Sequence, residues 1–397
     1  MVATKEVFVL FFLGGLFLRF FRVKGFLWVD WAAVLFFACH FFYFFKSSSG
    51  IFSRVVSFRE GFMVVAFYAI GRLLPLSKEK MPNYFKSILL LALPVCLFGF
   101  IERFCFGGGT WRVIGSEAYM IAKFGADNPG TITLDGIPLQ WFTYVGMDPV
   151  RRMVATIGDS TSLSRFLSLP VLILVYFRLF KKNSIIAGPI SFSLFLVFGT
   201  SLVLSLGRGG QLISMGGIFL LYLVKYPRLT VAGGIPLVVV VFLKTALFDI
   251  QSGSAIRHMA GLVSGIASLL RNPLGHGLGA SGQMAVLYGA SIEEKVSESY
   301  LGSLGYQMGL PGVLAYLLFG FAALWTLFRV YRQNSYMRKE VGFDSRAILL
   351  GFSVTGGIFF TSFLSNSAIA PISAGLSLIY CGWVISAFTQ DHSLGRV

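Results

Sequence analysis

The chain has 397 residues, of which 56% are hydrophobic and 13% are charged, and its formal net charge at pH 7 is +16. Its mean hydropathy is +0.77, which excludes a water-soluble globule and makes the positive charge a sign of membrane topology rather than of nucleic-acid binding. We therefore expect an all-α, polytopic membrane helical bundle that forms a single integral domain over residues 1–397, with membrane lipids around it and no nucleic-acid partner.

Apolar segments long enough to cross a hydrocarbon core of roughly 30 Å recur along the chain. They predict about eleven transmembrane helices, with the usual error of a few residues at each boundary. These helices are expected near residues 6–21, 26–45, 55–77, 84–103, 163–180, 184–206, 210–225, 229–248, 299–328, 346–364 and 370–388.

Basic residues collect in the short connections between these segments. The clusters are Arg19, Arg22 and Lys24; Arg72, Lys78, Lys80 and Lys86; Arg178, Lys181 and Lys182; Lys225 and Arg228; and Arg329, Arg332, Arg338, Lys339 and Arg346. With eleven spans all five clusters fall on one side, which the positive-inside rule makes cytoplasmic. The long connections 104–162 and 249–298 should then both face outward. Lys46, Arg54 and Arg59 fall on the outer side as well, so the first two spans conflict with the rule.

The outer connection 104–162 contains more glycine, turn-forming and aromatic residues than a simple spacer requires. It contains GGGTW, the polar turn Asp127-Asn128-Pro129-Gly130, the pair Asp135-Gly136, and the aromatic residues Trp141, Phe142 and Tyr144. Such a mixture predicts a folded cap or a re-entrant loop, with interfacial aromatic residues holding it at the membrane surface.

Polar and turn-forming residues also collect in residues 271–312, although the neighbouring segments are apolar. After an Asn272-Pro273 turn comes a run of spaced glycines, Gly275, Gly277, Gly279 and Gly282. A regular helix would lose about 1 kcal/mol at each of them. Glu293, Glu294 and Glu298 follow, and an apolar helix is predicted from Tyr300. We therefore expect the outer connection 249–298 to carry the active site.

Several arginines are not explained as cytoplasmic anchors. Arg208 lies between Gly207 and Gly209 at the outer end of two apolar segments, where a guanidinium costs at least about 2.5–3.5 kcal/mol at membrane depth. It either extends into the headgroup layer or binds an anion, and the second is favoured because glycines let backbone N–H groups approach a ligand at the start of a helix. The other outer arginines are Arg151, Arg152, Arg165 and Arg257, the last beside His258. Each alone could be a surface charge, but together they favour phosphate, which arginine binds bidentately.

The order of these motifs resembles the O-antigen ligase and polysaccharide polymerase superfamily. The resemblance covers roughly residues 150–320 and rests on RRMVATIGDSTSLSR, on Arg208-Gly-Gly-Gln-Leu212, on RNPLGHGLG and on ESYLGSLGYQMGLPG. It implies a GT-C-like membrane glycosyltransferase, which transfers a glycan from an undecaprenyl-diphosphate carrier on the outer leaflet to an acceptor hydroxyl. Ligases begin the last motif with a histidine. This chain has Glu298 there, which is closer to the polymerase branch.

The resemblance also implies roles for individual residues. Arg152, Arg208 and Arg257 are expected to bind the diphosphate leaving group, and Glu298 is expected to accept the proton of the acceptor hydroxyl. Asp159 and His276 are reserve candidates for the base, while Arg151 and Arg165 are reserve candidates for the clamp. The simpler alternatives are a helix-capping acid for Glu298 and a structural loop residue for His276. No metal ion and no cofactor is expected.

The sequence thus predicts a polymerase of lipid-linked O-antigen or exopolysaccharide repeat units in the bacterial inner membrane, with a chain-length regulator as a further partner. Two alternatives stay open. An O-antigen ligase would transfer the glycan to a lipid A core sugar, and a flippase or transporter would bind the same lipid-linked glycan without chemistry. A transporter should place its charged groups near the midplane, often at broken helices, whereas here they gather at the outer face.

Overall fold

The fold was analysed in a computed structural model that describes residues 14–15, 18–21, 23, 25–74, 80–124, 133–145, 148–180, 188–230, 254–281, 299–336 and 345–389. Of the described residues 82% are helical, which confirms the expected helical membrane architecture. The long helices are α1 Trp28–Lys46, α2 Ile51–Leu73, α3 Met81–Cys105, α6 Ser160–Phe180, α7 Pro189–Leu204, α8 Arg208–Lys225, α9 Ser254–Arg271, α10 Tyr300–Tyr336, α11 Ala347–Ser362 and α12 Pro371–Thr389. Between α3 and α6 lie two short helices, α4 Gly108–Ile114 and α5 Ser116–Phe124, and single turns of helix occur at Leu139–Trp141, Ala155–Ile157, Pro227–Leu229 and Asn366–Ile369.

Five of the described helices are long and apolar enough to cross a membrane, namely α1, α3, α6, α10 over Tyr300–Asn334, and α12. Shorter apolar helices cover Pro189–Leu204, Met259–Arg271 and Ala347–Ser362. The predicted segments from 26–45 to 210–225, and from 299–328 onward, coincide with helices. The predicted segment 229–248 and most of 6–21 lie outside the described residues, so the number eleven stays a prediction.

Helices α6 and α12 form the centre of the bundle. Every residue of α6 from Ser162 to Phe177 is buried, which accounts for the apolar run from Leu169 to Phe177. Helix α12 packs closely along α2 because each helix offers a glycine. A Cβ on Gly71 would lie 2.1 Å from the carbonyl oxygen of Ile379, and one on Gly382 would lie 2.2 Å from the carbonyl oxygen of Tyr68. Larger side chains at these two glycines would force the helices apart.

One end of the bundle, which we call the basic end, brings together the start of α1 and α11 and the end of α2, α6 and α8. Arg72 and Asp30 form a buried ion pair with Nη2 and Oδ2 2.9 Å apart. The Lys225 ammonium donates to the carbonyl oxygen of Leu179, and the Arg346 guanidinium lies 4.6 Å from the centre of the Phe180 ring. Residues from several of the predicted cytoplasmic clusters therefore meet at one end of the protein.

At the opposite end, which we call the loop end, the residues between α3 and α6 fold into a small cap. Its core consists of Met120, Ile137, Trp141 and Val154, and the Trp111 ring packs on Trp141 with the ring centroids 4.7 Å apart. The cap contains two antiparallel strand pairs, β1 Thr133–Leu134 with β2 Ile137–Pro138, and β3 Phe142–Val145 with β4 Asp148–Arg151. The all-α prediction therefore describes the bundle but omits these strands.

The first strand pair has a local cause in the sequence. Asp135 and Gly136 connect β1 to β2 and both have positive φ angles, 53° and 81°. Two consecutive positive φ angles define the type I′ turn, for which Asp-Gly is a preferred pair. The Asp135-Gly136 pair of the outer connection thus forms the turn of a hairpin.

Candidate functional site

Arg208 is the first residue of α8 and is half-buried at the loop end. Its neighbouring glycines press against α6: a Cβ on Gly207 would lie 2.2 Å from Ser164 Oγ, and one on Gly210 would lie 2.1 Å from the carbonyl oxygen of Ser164. These two glycines serve a close helix contact. The contact fixes the start of α8, and hence Arg208, against the first turns of α6.

Arg165 follows Ser164 in α6, and its side chain lies beside the start of α8. Its side chain is buried, with 3% of the residue exposed, and a Cβ on Gly209 would meet its Nη2 at 2.8 Å. Nη1 donates to Ser367 Oγ over 2.7 Å. Ser367 in turn accepts a hydrogen bond from Thr161 Oγ1, 3.1 Å away. Arg165 therefore joins α6, α8 and the turn between α11 and α12 from within, as a buried cation.

Arg152 approaches the same place from the cap. Its backbone N–H donates to the carbonyl oxygen of Trp141 over 2.7 Å, and its Nη1 lies 3.3 Å from Ser160 Oγ. Its Nε is buried and makes no hydrogen bond within the part of the chain that the structure describes. Burial lowers the pKa of Arg152, and the nearby Asp159 carboxylate partly offsets this effect.

Arg152 and Arg208 are close enough to repel each other. Burial lowers the pKa of Arg208, and the Arg152 guanidinium lowers it further. Two partly buried guanidinium groups whose charges repel each other make a nearby anion favourable. Arg152 and Arg208 are therefore a candidate site for an anion with several acceptor oxygens.

Asp159 caps the helix that carries Arg165. Its Oδ2 accepts hydrogen bonds from the Ser162 backbone N–H and from Thr161 Oγ1, both over 2.8 Å. Its negative charge also lies in the field of Arg152 and Arg165. The carboxylate thus orders the start of α6 and supplies a local counter-charge for the arginines.

Arg151, which precedes Arg152 in the sequence, has a different partner. It forms an ion pair with the fully buried Glu102 near the end of α3. Its Nη1 also donates to the carbonyl oxygen of Phe106 over 2.6 Å, and the backbone N–H of Val154 donates to Glu102 Oε2 over 3.2 Å. These bonds fasten the cap to the bundle, and they give Arg151 a structural partner.

The start of α10 comes to the same end of the bundle. Ser299 is fully buried, its Oγ accepts a hydrogen bond from the Gly302 backbone N–H over 3.0 Å, and the hydroxyl donates to the carbonyl oxygen of Phe363. Two residues after Phe363, the Ser365 hydroxyl lies 2.9 Å from that of Ser367, which accepts the Arg165 hydrogen bond. The start of α10 is therefore linked to the buried Arg165 through backbone residues 363–365 and these hydroxyl groups.

Two of the expected site residues lie wholly or partly outside the described residues. Glu298, the predicted base, lies outside the described residues, although Ser299, which follows it in the sequence, is the N-cap of α10. Arg257 belongs to α9, but its side chain lies outside the described part of the structure.

The glycine run has a packing role that its sequence did not reveal. Gly275, Gly277 and Gly279 have φ angles of 66°, 98° and 80°. A Cβ on Gly277 would lie 2.5 Å from Ser47 Cα, in the turn between α1 and α2. The Gly277 N–H donates to the carbonyl oxygen of Gln307 over 2.8 Å. The run thus joins α10 to the turn between α1 and α2.

His276 is exposed within this run. Its ring stacks on Tyr306, with the centroids 4.4 Å apart, and its backbone N–H donates to the carbonyl oxygen of the same residue over 3.0 Å. The contact gives the histidine a structural role beside α10.

Sequence reasoning missed the turn Ser365-Asn366-Ser367. The three residues form a polar triplet between the predicted spans 346–364 and 370–388, and this interruption was the available signal. Glu102 was missed as well, although a single acid at the end of an apolar segment is costly without a partner.

No protein-family model matches the chain, and no curated protein matches it significantly. The site is therefore interpreted from its geometry and from the motifs described above.

Proposed function

We propose that the protein polymerises undecaprenyl-diphosphate-linked polysaccharide repeat units by glycosyl transfer at the outer face of the bacterial inner membrane. The observation that carries this proposal is the convergence of Arg152, Arg165 and Arg208 at the loop end, opposite the basic end. The positive-inside rule favours the basic end as cytoplasmic, which would place the three arginines at the outer leaflet.

The clamp requires arginine rather than a generic cation. A diphosphate offers several oxygens that a planar guanidinium binds in pairs, whereas an ammonium acts as a point charge. The Arg152 charge acts on Arg208, and the buried Arg165 lies beside the first turn of α8, where Arg208 begins the helix. Donors fixed in advance stabilise the charge that develops on a departing diphosphate without reorganisation during the reaction.

The proposed reaction forms one bond and breaks one. An acceptor sugar hydroxyl attacks the anomeric carbon of the donor glycan, and the bond from that carbon to the carrier diphosphate oxygen breaks. The electron pair leaves with the diphosphate, held by the arginines, and the hydroxyl proton passes to Glu298 as general base. The family resemblance implies that no metal ion takes part.

Hydroxyl groups beside the arginines suit the glycan. Three hydroxyl groups form a hydrogen-bonded row, with Ser367 between Thr161 and Ser365. Ser367 also accepts a hydrogen bond from Arg165. Such groups both donate and accept hydrogen bonds, as the hydroxyl groups of a sugar do. We infer that this row contacts the sugar next to the diphosphate.

Deletion of the gene in its host tests the proposal against both alternatives. The polymerase account predicts that long glycan chains disappear and that single repeat units remain on the carrier at the outer face. Full-length chains that accumulate on the carrier, unattached to lipid A core, would support the ligase. Repeat units that accumulate at the cytoplasmic face would support the transporter and contradict the proposed chemistry.

A further inference from the structure

A groove opens on the side of the bundle at the basic end, far along α6 from the arginine cluster. It has a volume of about 480 Å³ and lies between the last turns of α6, the start of α7 and the end of α8. Its walls include Leu174, Leu179, Phe192, Phe195 and Tyr222, with Arg178 at the last turn of α6. The volume lies in the range of roughly 300–1,000 Å³ that is typical of small-molecule sites.

The walls of the groove are mostly apolar and open outward. Phe192 is 65% exposed and Tyr222 is 42% exposed, whereas Leu174 and Leu179 form a buried floor. In a protein that crosses a membrane, such an outward-facing apolar surface contacts lipid chains. The shape therefore suits an acyl chain better than a water-soluble ligand.

The charges at the groove have a single sign. Arg178 is exposed, and none of the described residues that line the groove is acidic. Lys225 donates to the carbonyl oxygen of Leu179 in the groove floor, and its ammonium lies 5.2 Å from the centre of the Phe180 ring. The Arg346 guanidinium also lies over that ring, 4.6 Å from its centre. This arrangement attracts an anionic group to the mouth of an apolar groove.

We propose that the groove binds a phospholipid whose headgroup carries a net negative charge, with its phosphate at Arg178 and an acyl chain along Phe192 and Phe195. Basic pockets between transmembrane helices on the cytoplasmic side bind such headgroups. Charge complementarity selects the headgroup, and the apolar walls select the chain. The proposal is independent of the polymerase function.

Native mass spectrometry of the purified full-length protein in detergent tests it by titration. Phosphatidylglycerol and phosphatidylcholine with the same acyl chains are compared on the wild type, on Arg178→Gln and on Arg332→Gln. Arg332 is an exposed arginine near the end of α10 that does not line the groove, so it is the matched control. Wild type and Arg332→Gln should bind phosphatidylglycerol with the same Kd, and Arg178→Gln should bind it about fivefold more weakly. Phosphatidylcholine should bind all three proteins weakly.

Several outcomes would overturn the proposal. These are equal Kd values for wild type and Arg178→Gln, equal binding of the two lipids, or displacement of phosphatidylglycerol by inorganic phosphate at comparable concentration. Failure of wild type to retain either lipid, as expected if another part of this chain fills the groove, would also overturn it. Because Arg178 is exposed, its replacement should leave the thermal unfolding midpoint unchanged, so weaker binding would report on the groove.

Discussion

At the scale of single residues, the candidate site divides into groups that contact a ligand and groups that position them. Arg152 and Arg208 lie close enough for their charges to interact, and they are expected to hold the diphosphate. Arg165 and Asp159 are bound into the protein, Arg165 by Ser367 and Asp159 by the start of α6. Their contribution is therefore expected to act through the shape and the field of the site.

Glu298→Gln tests the assignment of the base. The amide keeps the size of the side chain but cannot accept the acceptor proton, so turnover should fall by roughly 10²–10⁴-fold. Glu298→His installs the residue that ligases carry at this position and should keep measurable turnover. Both are measured with purified protein and lipid-linked repeat units. Turnover of Glu298→Gln at the wild-type rate would remove Glu298 from the mechanism and return attention to Asp159 and His276.

Asp159 permits a test that separates a helix cap from a base. Asp159→Ala should lose about 0.5–2 kcal/mol of stability, because the first turn of α6 loses its side-chain acceptor. Asp159→Ser keeps a capping oxygen but has no carboxylate. If Asp159 is a cap, thermal unfolding of Asp159→Ser should lie near that of wild type and its turnover should persist. A stable Asp159→Ser protein without turnover would instead make Asp159 the base.

At the scale of elements, glycines determine how closely the helices approach. The start of α8 packs on α6 through Gly207 and Gly210, and the glycine run packs on the turn between α1 and α2 through Gly277.

The contacts of Lys46 and Arg54 also explain why these basic residues lie at the loop end. The Lys46 ammonium donates to the carbonyl oxygen of Leu274 over 3.1 Å, and Arg54 Nη1 reaches the carbonyl oxygen of Phe44 at 3.4 Å. Two of the three basic residues that conflicted with the topology rule thus bind backbone carbonyl groups at the loop end.

Gly277→Ala should destabilise the protein more than an ordinary helix substitution. Its φ angle of 98° disfavours any Cβ, and the added methyl would overlap the turn at Ser47. We expect a loss of about 1–3 kcal/mol, seen as a lower thermal unfolding midpoint in detergent. Gly216→Ala is the control, since Gly216 lies within α8 with open space around its Cβ position. That variant should gain up to about 1 kcal/mol. Equal midpoints for the two variants would contradict the packing role.

The sequence predicted the helices because apolar length and turn residues are local properties. The Asp135-Gly136 pair is a local signal of the same kind, but the hairpin that it forms was not predicted. The partners of Arg151, Arg165 and Gly277 were not predictable, because each contact joins positions far apart in the chain. An isolated acid such as Glu102 is a signal that a partner must exist; this signal was missed, and the local pattern could not have identified the partner. The roles of Glu298 and Arg257 still rest on sequence alone.

At the scale of the whole molecule, the two ends of the bundle differ in character. The basic end gathers cations from α2, α6, α8 and the start of α11, while the loop end carries the cap, the arginine cluster and the glycine run. Under the positive-inside rule this asymmetry assigns the loop end to the outer face. The proposed reaction depends on that assignment, since the lipid-linked substrate is used on the outer leaflet.

Thiol labelling of intact cells tests the orientation. In a Cys105→Ser background, which removes the exposed native thiol, Val113→Cys places a thiol on the cap at a position that is 89% exposed. A membrane-impermeant maleimide should label it from outside. Arg332→Cys, near the end of α10, should react only after permeabilisation. The reverse pattern would place the arginine cluster on the cytoplasmic side and remove the basis for transfer at the outer leaflet.

The most direct test of the account is the product ladder that purified protein forms from undecaprenyl-diphosphate-linked repeat units. Wild type and the control Arg332→Ala should both produce a ladder of lengthening glycans. Arg208→Ala should lower the rate by roughly 10²–10³-fold, as for loss of a single transition-state donor, and Arg208→Lys should recover only part of it, because an ammonium lacks the planar fork. A wild-type ladder from well-folded Arg208→Ala, or no ladder from the wild type itself, would contradict the claim that this arginine cluster supports glycosyl transfer.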